Sequence, residues 1–317
     1  MSSRHLKIAA AQLGPLHLVD TRTTATKRLV KLLRDAHAMG AKFVVFPELA
    51  FTTFFPRYWY ADQAEVDRKF YESSIPSAET QPLFDEAKKL GIGFYLGYAE
   101  LTQENGRTRR FNTAILVGPD GTLVGKYRKI HLPGHAEHKP KAKFQHLEKK
   151  YFEVGNLGFR VWNFMDTIAG MMICNDRRWP EAFRVLALQG AEIVALGFNT
   201  PSENLDFPEA PALRVHHHLI TAQAMAYQNA IWLIETAKCG FEDGNRMFGH
   251  SLIVAPTGEI AAKSLSEEDE VICVNADFDL AADLKRTVFN FAAHRRPEHY
   301  KLIVERVGAE VTPAKGP

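Results

Sequence analysis

Short apolar runs of strand length recur along the chain and alternate with stretches of helical period. The runs lie at 6–13 (LKIAAAQL), 42–46, 92–98 (IGFYLGY), 112–117, 168–173, 192–197, 230–236, 251–255 and 271–276. Between several of them, apolar positions three and four apart predict helices. Residues 22–38 place Leu29, Leu32, Leu33 and Ala36 on one face and stop at Met39-Gly40, a helix-end signal. Residues 79–90, 179–189 and 212–229 read the same way, the last with His216, His217 and His218 near its start. Strands alternating with helices predict an α/β layered fold, since each element must bury its apolar face on another layer.

Two segments resemble each other. VGPDGTLVGKY (117–127) and VAPTGEIAAKS (254–264) each follow an apolar strand with a Pro-x-Gly turn and a second strand. They hint at two similar halves. No Ser/Gly-rich linker or low-complexity tract interrupts the chain, so residues 1–317 read as one domain with its core at about 6–305. The tail after Val307 (GAEVTPAKGP) is predicted to be poorly ordered.

Composition narrows the classes. A chain of 317 residues, 46% hydrophobic and 24% charged, is that of an ordinary globular protein with a large core. A net charge of +2 predicts no nucleic-acid or membrane-surface partner. No apolar run is long enough to span a bilayer. MSSRHLKIAAAQL enters a strand pattern without a signal-peptide core, and the three cysteines show no disulfide or zinc spacing. The expectation is a cytoplasmic enzyme.

The candidate chemistry starts at Cys174, in MMICNDRRWPE (171–181), where an apolar strand gives way to a polar, arginine-rich turn. Parallel sheets present reactive groups at such strand ends. Cys239 and Cys273 have no comparable setting. A carboxylate, Glu48 in KFVVFPELA, and an amine, Lys129 in GKYRKIHLPGH, follow two earlier apolar runs. Together the three groups meet the needs of amide cleavage through a covalent intermediate. The thiol is the nucleophile, the glutamate takes and returns its proton, and the ammonium and the Asn175 N–H meet the oxyanion. Any one of them alone would read as a buried small side chain or a surface charge.

FPELA, KYRKIHLPG and CNDRRWPE resemble the signatures of the nitrilase superfamily of carbon–nitrogen hydrolases, and Glu48, Lys129 and Cys174 match its catalytic triad. Within that family FPELAFTTFFPRYW (46–59), RRFNTAILV (109–117), FQHLEKKYFE (144–153), NDRRWPEAFRV (175–185) and FNFAAHRRPEHY (289–300) resemble the D-carbamoylase branch. The resemblance implies a four-layer α-β-β-α sandwich and hydrolysis of N-carbamoyl-D-amino acids to the D-amino acid, CO2 and ammonia, with no cofactor. It matches Glu148 to a second glutamate that orients the lysine. It also implies a substrate with an α-carboxylate, bound among Asn175, Arg177, Arg178, Asn199, Thr200 and His131. A guanidinium binds carboxylate bidentately, and two neighbouring side chains seldom point the same way, so one of the arginines holds substrate while the other packs; in the resemblance Arg178 is the stronger carboxylate candidate.

His131, His146 and His217 match histidines that support the pocket from behind. Three consecutive histidines on a helix point in different directions, so no metal site is expected. The loop PGHAEHKPKAKF (133–144) and the stretch 202–214 depart from the branch pattern, which places side-chain specificity there. The resemblance further implies a homodimer or homotetramer, with 289–303 as a candidate interface element. The alternatives are a β-ureidopropionase or amidase of the same family, and a non-catalytic relative acting as a binding module. The complete Glu48, Lys129, Cys174 and Glu148 set weighs against the last.

Overall fold

The computed structural model describes residues 4–203, 209–311 and 313. Five residues of the divergent 202–214 stretch (204–208), and residues 312 and 314–317 of the tail, lie outside the described residues.

Two six-stranded mixed sheets form the centre of the molecule. The first runs in the order β14 (Glu270–Asp277), β1 (His5–Gln12), β2 (Phe43–Val45), β3 (Gly93–Glu104), β4 (Arg107–Val117), β5 (Leu123–Arg128). The second runs β13 (Ile260–Lys263), β12 (Leu252–Val254), β9 (Trp232–Ala237), β8 (Ile193–Phe198), β7 (Thr167–Ile173), β6 (Val161–Phe164). In each sheet three strands are parallel, β1, β2 and β3 in one and β7, β8 and β9 in the other. Antiparallel strands close both edges of each. The two Pro-x-Gly hairpins are the β4–β5 and β12–β13 pairs, and both carry a register shift just before the turn.

Side-chain alternation along β1 explains the layering. Ile8 and Ala10 belong to the core shared with the second sheet, whereas Ala9 and Ala11 belong to the core under two helices. Those helices, α1 (Arg22–Ala38) and α3 (Gln81–Leu90), cover the first sheet with Leu29, Leu32, Leu33, Leu83 and Phe84. Thr21 caps α1 through a 3.1 Å bond from the Thr24 N–H, and Gly40 follows the helix with a left-handed φ of 86°. On the other side α5 (Pro180–Leu188) and α6 (Pro211–Asn229) cover the second sheet with Phe183, Leu186, Ala222 and Ala226. The fold is a four-layer α-β-β-α sandwich.

Three features without a strong sequence signal complete it. The helix α2 (Gln63–Phe70), the one-turn helix α4 (Glu148–Tyr151) and the hairpin of β10 (Cys239–Glu242) with β11 (Asn245–Phe248) gather over the strand ends. Their aromatic core includes Phe55 stacked on Phe70 at 4.5 Å. The C-terminal segment forms α7 (Asp279–Arg286), α8 (Phe291–His294) and α9 (Lys301–Glu305).

Candidate active site

Each candidate residue stands where its strand runs out. β2 ends at Val45 and Glu48 follows; β5 ends at Arg128 and Lys129 follows; β7 ends at Ile173 and Cys174 follows; β8 ends at Phe198 and Asn199 follows. The two sheets point these ends at one place between them. Glu48, Lys129 and Glu148 are wholly buried, and Cys174 is 6% exposed.

Lys129 is the hub. Its Nζ donates to Glu48 Oε1 at 2.8 Å and to Glu148 Oε2 at 2.5 Å. One ligand atom from each of Glu48, Glu148 and Cys174 lies within 4.8 Å of the others. Three such atoms could hold a metal ion, but the Lys129 ammonium already supplies the cation to both carboxylates. Glu48 Oε1 also accepts from Asn112 Nδ2 at 2.7 Å, and Oε2 accepts from the Asn199 N–H at 2.9 Å. The aim of this carboxylate is therefore set from three sides.

Burial and charge separate the two carboxyls. Burial raises the Glu48 pKa, and Lys129 only partly offsets it. Burial would raise Glu148 too, but Lys129 and His146, 3.4 Å away, bring it below its ordinary value. Glu148 is thus the standing counter-ion of Lys129, whose own pKa rises against burial because Cys174, Glu148 and Glu48 surround it. Glu48 is the group free to exchange a proton. Burial, then Glu48, push the Cys174 thiol up to about 11. The thiol is therefore held in its protonated form at neutral pH, and the nucleophile needs a base beside it.

The turn carrying the thiol is held from below. Cys174 has a left-handed φ of 46°, a conformation that costs an L residue free energy and lifts its side chain out of the strand line. Asp176, fully buried, accepts from the Ile173 N–H (3.0 Å), the Tyr127 hydroxyl (2.7 Å), the His131 N–H (3.1 Å) and His131 Nδ1 (2.8 Å). Arg177 is also buried. It donates to the Cys174 carbonyl (3.2 Å) and Thr200 Oγ1 (2.9 Å), and its guanidinium lies 4.1 Å from the Phe198 ring centre. Arg177 is therefore a brace of the turn.

Arg178 next to it is exposed, with a single 3.2 Å bond to Asn175 Oδ1. A cavity of about 70 Å³ beside the thiol is lined by Cys174, Asn175, Arg178, Asn199 and Thr200, with Arg214 and residues of the 133–144 loop. Of the ten sequence-derived candidates, five line this cavity, and Glu48, Lys129 and Glu148 lie behind the thiol. Arg177 and His131 stand off its wall. The His131 ring bonds Asp176 and stacks on Trp179 at 5.0 Å. His217 is half-exposed beside Glu209, and its neighbour His218 is the buried one.

Asp176 and Asn112 were not among the candidates. Both sit inside motifs singled out for other residues, and neither has a periodicity that marks it. Gly97 and Gly197 are two more. A Cβ on Gly97 would lie 2.6 Å from Glu48 Cα, and one on Gly197 would lie 2.5 Å from the Glu48 N. The Glu48 backbone passes between β3 and β8 through a gap that only glycine leaves open.

Comparisons with known proteins agree with this geometry. The carbon-nitrogen hydrolase family model matches residues 7–286. A nitrilase from Pyrococcus abyssi is 32% identical over 297 residues, covering 93% of this chain and 99% of that protein. An N-carbamoylputrescine amidase from Arabidopsis thaliana is 29% identical over 321 residues, covering 96% and 97%. Among solved structures, a carbon-nitrogen hydrolase from Helicobacter pylori superposes with a TM-score of 0.80 at 24% identity, covering 96% of this chain and 99% of that one.

Proposed function

The chain belongs to the carbon-nitrogen hydrolase family, and from that premise we propose that it hydrolyses N-carbamoyl-D-amino acids to the D-amino acid, CO2 and ammonia. The observation that carries the reading is the Arg178 side chain on the wall of the thiol cavity. It is a carboxylate-binding group with one weak commitment, adjacent to the nucleophile turn. The resemblance of NDRRWPE and its companion segments to D-carbamoylases supports the D configuration. The N-carbamoylputrescine amidases, by their name, act on another N-carbamoyl compound.

In this reading Cys174 Sγ bonds to the ureido carbonyl carbon while its proton passes to Glu48. Lys129 and the Asn175 N–H meet the oxyanion. The C–N bond to the first amine then breaks as Glu48 returns the proton to that nitrogen. Water, deprotonated by Glu48, adds to the carbonyl carbon of the resulting thiocarbamate; its C–S bond breaks as Glu48 returns the proton to the thiol, and the released carbamic acid decomposes to CO2 and the second amine. Glu148 keeps Lys129 charged and in place throughout. Asn199, whose N–H bonds Glu48 and whose Nδ2 bonds the Glu48 carbonyl, joins the base to the cavity wall.

The test is ammonia release from N-carbamoyl-D-alanine, its L isomer and N-carbamoyl-β-alanine in parallel. Turnover of the D substrate alone is expected. Arg178→Leu should raise KM about 10- to 100-fold with a smaller change in kcat, the size of a lost charge-assisted bond. An unchanged KM would place the carboxylate elsewhere, and turnover of N-carbamoyl-β-alanine alone would favour the β-ureidopropionase reading.

A further inference from the structure

Beyond the thiol cavity lies a second one of about 310 Å³, lined by Arg177, Arg178, Arg214, Glu209, His217 and Phe248 among others. The two cavities share Arg178, Thr200 and Arg214 and so adjoin one another. We propose that this second cavity takes an acidic side chain of the substrate, with Arg214 as the residue that selects for it. The proposal rests on the N-carbamoyl-D-amino-acid reading and narrows it to substrates bearing a second carboxylate.

The argument is one of charge and desolvation. Among the described residues the wall holds three guanidiniums against one carboxylate, Glu209. Arg214 is 7% exposed, yet it comes from the first turn of α6 and reaches both cavities. One Nη donates to Glu209 at 3.1 Å and the other to the Pro201 carbonyl at 2.8 Å. Glu209 is divided, because its second oxygen lies 3.2 Å from His217. Burial lowers the Arg214 pKa, Glu209 opposes that, and Arg177 adds to it by a smaller amount.

Glu235 is the other acid nearby. It stands 3.2 Å from His218 Nδ1, away from the wall, and burial pushes its carboxyl up to about 7. His218 Nε2 bonds the His250 carbonyl, and among the described residues neither His218 Nδ1 nor the Glu235 carboxyl has a hydrogen-bond partner. Burial thus favours the neutral form of Glu235, which weakens it as a counter-charge to Arg177.

A substrate's α-carboxylate on Arg178 leaves the Arg214 end of the cavity to its side chain. A hydrocarbon there would remove water from the guanidiniums and return no hydrogen bond, which is costly. A carboxylate would replace that water with charge-assisted bonds. Only Phe248 offers an apolar ring on this wall among the described residues.

The experiment compares kcat/KM for N-carbamoyl-D-glutamate and N-carbamoyl-D-norvaline, which share chain length and differ in the terminal acid. The wild type should prefer the glutamate derivative about 10- to 100-fold, the range of one charged hydrogen bond. Arg214→Gln should collapse that ratio toward one, and Arg214→Lys should keep a preference for the acid. A ratio is unaffected by the fraction of a variant that folds. A wild-type ratio near one, or a ratio unchanged in Arg214→Gln, overturns the proposal and makes Arg214 a brace for Pro201 and Glu209. Hydrolysis of the norvaline derivative without the glutamate one would overturn this inference and leave the general reading standing. Hydrolysis of neither would overturn both.

Discussion

Glu48 and Glu148 are identical in covalent structure, contact the same lysine, and are driven apart by their other neighbours. Glu48 has Asn112, the Asn199 N–H and the thiol; Glu148 has His146. That difference makes one a proton carrier and the other a fixed charge, and it has a signature in pH. Attack requires ionised Glu48, whose pKa burial raises, so kcat/KM should fall on acidification with a limb above the ordinary carboxylate value of 4.5. Glu48→Gln should lose about 10^2- to 10^4-fold in kcat and flatten that limb. A limb at or below 4.5, or one unchanged in the variant, would assign the proton transfer to another group. The triad was legible from sequence because each member sits in a distinctive motif. Asp176 was not, since its partners, the Ile173 N–H, the Tyr127 hydroxyl and His131, come together only in the fold and leave no periodic trace. Arg177 and Arg178 could be told apart only by their surroundings, one on Phe198 and the other facing the cavity.

The elements that hold the site are short strands whose patterns were readable because both faces are covered. β8 carries no polar side chain, and β1 and β9 hold unbroken apolar runs at 8–11 and 232–234, as strands buried on both sides do. The nine apolar runs and four amphipathic helices of the sequence all correspond to observed elements, as do both hairpins. What the pattern missed was α2, α4, β6, the β10–β11 hairpin and the C-terminal helices α7, α8 and α9, all four to eight residues long and therefore weakly periodic. Nor does a strand pattern reveal why β3 and β8 contain Gly97 and Gly197. With the Glu48 backbone wedged between them, Gly197→Ala must displace either β8 or the base. It should lower stability by about 1–3 kcal/mol, as overpacking does, and kcat with it. Urea unfolding and the ammonia assay would read both effects. Unchanged values in the two assays would mean that the close approach does not position Glu48.

The whole molecule repeats one plan twice, three parallel strands edged by antiparallel ones, and sets the two sheets face to face with their chemistry at one shared end. The similar hairpins at 117–127 and 254–264 were the trace of that repetition in the sequence. On the outside, α5 leaves Val185 and Leu188 at 41% and 46% exposure, and α9 leaves Leu302, Ile303 and Val304 beside them more exposed still. Arg184, 4.3 Å from the Phe291 ring centre, ties the 289–303 segment to α5. We propose that this face joins copies of the chain into a dimer or tetramer. Light scattering should give two or four chains, and Ile303→Asp with Val304→Asp should reduce that number; a monomeric wild type would refute it. The central claim is covalent hydrolysis of an N-carbamoyl-D-amino acid by Cys174, and its most direct test is ammonia release from N-carbamoyl-D-alanine by the wild type and by Cys174→Ala. The account predicts turnover by the first and a loss of about 10^4-fold or more in the second. Appreciable turnover by Cys174→Ala, or none by the wild type, would contradict it.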